Sequence, residues 1–166
     1  MVDRTEVAIS DNSLSENESV YRRIPDDRNW VKPQPDGTFK ISGQAFWERS
    51  QRISVDRVLL CQNGPWHMLD SYPGPAGVVS ITVEEIHTIN DLTHKDKLSG
   101  LTQTFEVGVE AIPIINEPGI PDNPAHAEIY TKPKCPRKVF EVCMERLALL
   151  ANNKWVIEPP SIRNKR

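Results

Sequence analysis

The chain has no apolar run approaching the roughly 18 residues that span a bilayer, and its start lacks a basic segment followed by a short apolar one. Neither a membrane span nor a secretory leader is expected. Cysteine is scarce: Cys61, Cys135 and Cys143 are odd in number, and no two stand in a Cys-x-x-Cys pair. This excludes a disulfide framework and a cysteine metal knuckle, and it leads to an expectation of reduced thiols in a cytoplasm. An excess of positive charge is also missing. Lys and Arg number 20 against 23 Asp and Glu, for a net charge of −3. Such a balance does not neutralise a run of phosphates, so general binding of DNA or RNA is not expected. No internal repeat or heptad array is present, and no cofactor is implied.

What is present fits one domain, since 166 residues can bury a core without staples. The charge is unevenly spread. Residues 1–18 hold Asp3, Glu6, Asp11, Glu16 and Glu18 against Arg4, which leaves −4 there and +1 for the rest. That acidic, Ser- and Asn-rich segment has too few large apolar residues to offset its ordering entropy, and it is expected to be disordered or pinned by a partner. The ordered domain is expected over residues 19–160, with a basic mobile tail from 161 to 166.

Within the domain, Ser19-Val-Tyr-Arg-Arg-Ile24 is a β-prone run ended by Pro25. Pro35-Asp-Gly37 predicts a turn that pairs Trp30-Val31 with Thr38–Ile41. Residues 52–60 fit either a strand or a short helix capped by Ser54. Pro65–Ser71 suggests a short helix. Val78–Ile81 is a buried strand that runs into a capping box, Thr82-Val-Glu-Glu85, and a helix to about Asn90. Residues 91–103 read as a polar loop, Thr104–Glu110 as a half-buried strand, 111–124 as irregular, and Ala125–Thr131 as another strand.

Pro136 opens the best helix, on which Phe140, Cys143, Leu147, Leu150 and Ala151, joined by Val139 and Val142, form the apolar face. Trp155–Ile157 is a last short strand. The four tryptophans, Trp30, Trp47, Trp66 and Trp155, are dispersed and read as core pieces. The predicted architecture is α+β: a mainly antiparallel sheet, two short helices, and a longer C-terminal helix packed on one face.

The richest stretch is Asn123–Lys138. Strand alternation sends His126, Glu128 and Tyr130 to one face, opposite Ala125, Ala127 and Ile129. His126 and Glu128 fit an acid–base pair, or two metal ligands lacking a visible third; an ordinary solvated strand face is the reading that strand alternation favours. Lys132, Lys134, Arg137 and Lys138 crowd a helix start, where the peptide dipole disfavours cations unless an anion lies between them. They form a candidate anion site, against the alternative of lysine stems reaching water. Cys135, at the cap among these cations, has the setting of a lowered-pKa nucleophile that His126 could serve, or it is incidental. Cys61 and Cys143 read as structural. His67, His87 and His94 show no metal-ligand spacing.

Arg22, on the first strand, is placed to bind a carboxylate or phosphate, with Ser54, Asp56 and Arg57 as companions. The order Arg22, Ser54, Glu128 resembles the Arg-Ser-Glu order of ADP-ribosyltransferases, a likeness that implies a nucleotide substrate. Surface ion pairs are the alternative. Tyr21-Arg-Arg-Ile-Pro25, Ser54-Val-Asp-Arg57 and Pro121-Asp-Asn-Pro-Ala-His126 together resemble a family of small bacterial proteins of about this length. That resemblance implies a bacterial single-domain protein and carries no activity onto these residues.

Two functions are expected from these features. The first is a non-enzymatic interaction module docking on a larger protein partner, through its acidic head, basic tail and proline-rich loops. The second is a small enzyme acting on a nucleotide or phosphate-bearing substrate, with Arg22, Ser54, His126 and Glu128 around one pocket.

Overall fold

Apolar residues alternate along Ile53-Ser-Val55 and Phe105-Glu-Val-Gly-Val109, and each segment becomes a strand of one antiparallel sheet. The computed structural model describes residues 12–165. Its strands are β1 (Ser19–Pro25), β2 (Val31–Pro33), β3 (Phe39–Ile41), β4 (Ile53–Arg57), β5 (Ala76–Thr82), β6 (Leu92–Lys95), β7 (Thr102–Ala111), β8 (His126–Lys132) and β9 (Trp155–Ile157). Seven of them form one sheet in the order β6-β7-β8-β4-β1-β5-β9, and β2 and β3 form a separate hairpin. Among the described residues four α-helices accompany them: α1 (Trp66–Asp70), α2 (Val83–His87), α3 (Arg137–Ala151) and α4 (Pro160–Arg163). The fold is α+β.

Alternation divides the sheet into two buried faces. Val20 and Ile24 of β1, Val55 of β4 and Ile129 of β8 meet Phe140, Cys143 and Leu147 of α3 in the main core. On the other face Tyr21, Val78 and Ile157 meet Cys61 and Met68, which belong to a segment, residues 58–72, laid across the sheet. That segment begins with a 3-10 turn at Val58–Leu60 and contains α1. The alternative left open for residues 52–60 is thereby settled as strand, then turn.

Thr82 and Glu85 make the reciprocal bonds of a capping box, so α2 starts where expected, although it ends at His87. At the other end of α3, Asn153 takes a positive φ of 64°, the left-handed conformation that Asn tolerates, and the chain turns into β9. Asn152 Oδ1 accepts the Ile41 amide at 2.9 Å, which ties the β2–β3 hairpin to that helix end.

Several expectations need correction. Residues 91–103 are not simply a loop, because Leu92 is buried opposite Phe105 and carries β6 as the edge partner of β7. Val142 is exposed, and Met144 and Ala148 replace it on the buried face of α3. Trp47 and Trp66 are exposed as well, whereas Trp30 and Trp155 pack against the core. The tail forms α4 instead of trailing from residue 161: Asp26 accepts from the Ser161 amide at 2.8 Å and from its hydroxyl at 2.5 Å, and Ile162 is buried. Of the acidic segment, residues 1–11 lie outside the described residues. Residues 12–18 are fixed on the domain, with Leu14 in the core and Glu18 buried against Arg57.

Gly77 of β5 lies tightly against its neighbours. A Cβ there would meet the Trp155 ring at 2.6 Å, the Ile157 carbonyl oxygen at 2.7 Å and Pro159 at 2.7 Å. Gly77→Ala is expected to lower stability by about 1–3 kcal/mol, because overpacking outweighs the several tenths gained from a stiffer unfolded chain. A urea unfolding midpoint equal to or above that of the wild type would contradict this.

Candidate functional site

Strand alternation places Arg22 on the α3 side of β1, with Val20 and Ile24, and places Ser54, His126 and Glu128 on the opposite side of β4 and β8. The expected catalytic set is thus split between two faces. A side-chain network joins part of it. The β1–β4 ladder stops at Tyr21 and Asp56, and Glu48 enters the gap beyond it. Glu48 Oε1 accepts from the Ser54 amide at 2.9 Å and from Arg22 Nη1 at 2.7 Å. The Ser54 carbonyl accepts from Arg22 Nη1 at 2.9 Å, and the Ala45 carbonyl from Nη2 at 2.9 Å. The pair supplies the partners that ladder hydrogen bonds would otherwise give Ser54. Arg22 is therefore engaged with the protein itself.

His126 Nδ1 lies 2.7 Å from the Ile112 carbonyl, an acceptor only, so Nδ1 carries the proton. Nε2 lies 3.4 Å from Ser54 Oγ, whose other neighbour is Glu48 Oε2 at 3.4 Å. Glu128 does not pair with His126. It accepts from Arg52 Nε at 2.6 Å, and Glu110, its cross-strand neighbour on β7, takes Arg52 Nη2. The Arg52 guanidinium lies 4.9 Å from the centre of the Tyr130 ring. Two facing carboxylates and a phenol thus converge on one arginine. Hydrogen bonds and charge from both glutamates hold the Arg52 guanidinium above its usual pKa against the opposing effect of burial.

The four candidate anion-binding cations do not share a site. Lys132 lines an open groove of about 520 Å³ with His87, Glu106 and Tyr130. Lys138 lines a different depression, beside Asp91, Leu92 and His94. Arg137 pairs with Glu141 one helical turn on, at 3.1 Å, and Lys134 is exposed. Pro136, not Cys135, is the cap of α3, and the Cys135 side chain is buried in the core. Of the two readings of Cys135, its burial agrees with the incidental one.

Sequence spacing did not single out the groups gathered beneath residues 58–72. Asp56 of β4, Cys61 after the 3-10 turn and His67 of α1 bring their ligand atoms within 4.8 Å of one another. Asn123 joins them from the loop before β8: its amide nitrogen donates to Asp56 Oδ1 at 2.9 Å, and its carbonyl oxygen lies 3.2 Å from His67 Nε2. Burial, with the charge of Asp56, pushes the Cys61 thiol up to about 12. Burial likewise raises the pKa of the Tyr21 phenol, with a smaller contribution from Cys61.

On the same segment of chain Leu59, Leu60, Trp66 and Tyr72 present large apolar side chains to solvent. Among the described residues no helix is long and apolar enough to cross a membrane. No protein-family model, curated protein or solved structure matches the chain, so the surface and its chemistry alone carry the functional reading.

Proposed function

We propose that the chain is a non-enzymatic interaction module, a bacterial cytoplasmic accessory subunit that docks on a larger protein partner through residues 58–72. The observation that carries this reading is the exposure of two aromatic and two aliphatic side chains on one short segment. Leu59 is 77% exposed and Trp66 53%, and Leu60 and Tyr72 accompany them. Single exposed apolar residues need no explanation, but a short segment bearing several, with Trp and Tyr among them, has the composition of an interface core. Cys61 and Met68 bury the segment's underside, so the exposed side chains are held in place before a partner arrives.

The rival reading is a small enzyme acting on a nucleotide or phosphate-bearing substrate, and one contact favours it: Ser54 Oγ beside His126 Nε2. Against it, Arg22 and Glu128 bind other protein groups, and they lie on opposite faces of the sheet.

Affinity capture from the native host separates the two. The wild-type chain is expected to recover one stoichiometric protein. The double variant Leu59→Glu/Trp66→Glu should lose at least about tenfold of it, the loss of a hot-spot contact. Leu98→Glu, in the β6–β7 turn at the far edge of the sheet, should retain it. Recovery unchanged in the double variant, or turnover of a nucleotide library with no partner, would overturn the proposal.

A further inference from the structure

We propose that Asp56, Cys61 and His67 form a binding site for one divalent transition cation of the zinc class, with a fourth position left to water. This inference stands whether or not residues 58–72 dock a partner.

Asp56 is 4% exposed, on the sheet face that residues 58–72 cover. Among the described residues no Lys or Arg forms a salt bridge with it; the group facing it is the His67 imidazole. Buried carboxylates are costly unless they are paired or coordinate a metal. Asp56 Oδ2 and His67 Nε2 are 3.3 Å apart. Two ligands each about 2.0–2.1 Å from a tetrahedral ion stand about 3.4 Å from one another, so this pair already forms one edge of the polyhedron. Cys61 Sγ, within 4.8 Å of both, has at most roughly 1 Å to travel to complete a face whose sulfur edges are about 3.6 Å. The bond that holds it now is a weak one, to the Arg57 carbonyl at 3.3 Å.

The donor set selects the ion. One thiolate, one imidazole and one carboxylate suit a borderline-soft cation and not Mg²⁺ or Ca²⁺, which take oxygen shells. A supporting shell exists too. Asn123 donates to Asp56 Oδ1 and leaves Oδ2 facing the site, and its own oxygen accepts the Ala125 amide at 3.2 Å. The three ligands come from a short stretch of chain between Asp56 and His67, and the His67 side chain is 25% exposed, which gives the ion a path in and water a place at the fourth position. On binding, the Cys61 thiol forms a metal–sulfur bond and releases its proton to the buffer, and His67 gives up the Nε2 contact to Asn123 Oδ1 and any proton on Nε2, which passes to the buffer as the ring binds the ion in its Nδ1–H form. The ion would then clamp β4, the 3-10 turn and α1 together beneath the exposed Leu59 and Trp66.

Cobalt(II) titration of the full-length, tag-free, chelator-treated protein tests this. Uptake of one equivalent is expected, with intense visible absorption of a tetrahedral site and a near-ultraviolet thiolate-to-cobalt band; Zn²⁺ should bleach both and raise Tm. Cys61→Ser should abolish the near-ultraviolet band, and His67→Gln, on a partly exposed helix, should abolish one-equivalent uptake while the far-ultraviolet circular dichroism stays native. Asn123→Ala should weaken binding about 10- to 100-fold. Absence of saturable uptake in the wild type would overturn the site. A thiolate band that survives in Cys61→Ser, or uptake unchanged in His67→Gln, would do so as well.

Discussion

Leu147→Ala is expected to cost about 3–4 kcal/mol of stability, within the range for truncating a buried leucine. Leu147 is fully buried in the middle of α3, beside Phe140, Cys143 and Met144, and faces the sheet. The loss combines the transfer of the missing methyl groups with a cavity that a 15-residue helix, held at its end by Asn152, cannot collapse around. Val142→Ala on the same helix should change stability by less than about 0.5 kcal/mol, because Val142 is exposed. Equilibrium urea unfolding of both variants decides the matter. Similar losses at the two positions would mean that α3 is rotated about its axis relative to the sheet.

The second large effect is at Glu48. Glu48→Ala should destabilise the protein by about 3 kcal/mol, near the lower end of what breaking a buried pair costs, since Glu48 keeps some contact with water. The carboxylate is the acceptor for Arg22 Nη1 and for the Ser54 amide, and its removal leaves a mostly buried guanidinium and a backbone N–H without it. Glu48→Gln, which keeps an acceptor oxygen of the same reach, should cost about half as much or less. In unfolding experiments, a Glu48→Ala loss below about 1 kcal/mol would show that the Arg22 network does not seal the gap between β1 and β4. A large loss would explain why an arginine sits on a core-facing position of β1.

Much of the fold was legible where one local signal agreed with the tertiary environment. The capping box at Thr82 and Glu85, the Pro-Asp-Gly turn at residues 35–37 and the alternation along Phe105–Val109 each specify an element without help from distant chain. β6 was missed because Leu92 is its only buried residue and its strand character comes from pairing with β7. α4 was missed because Asp26, far away in the chain, holds its first turn.

For the site, the shared face of His126, Glu128 and Tyr130 followed from strand period, but their partners did not. Register between β4, β7 and β8 decides that Glu128 meets Arg52 and Glu110, and that His126 meets Ser54. Asp56, Cys61 and His67 do lie within one short stretch of sequence, so Asp-x4-Cys-x5-His is a signal that could have been weighed. It lacked force because the spacing belongs to no common metal motif, and the strand–turn–helix path that closes it appears only in three dimensions.

The most direct test of the docking surface is amide hydrogen exchange of the chain with and without its purified partner. Slowed exchange concentrated in residues 58–72, with residues 132–138 and the surroundings of Ser54 and His126 unchanged, is the predicted result. Unchanged exchange in residues 58–72, with protection arising instead at Ser54 and His126 or along Lys132–Lys138, would contradict the account.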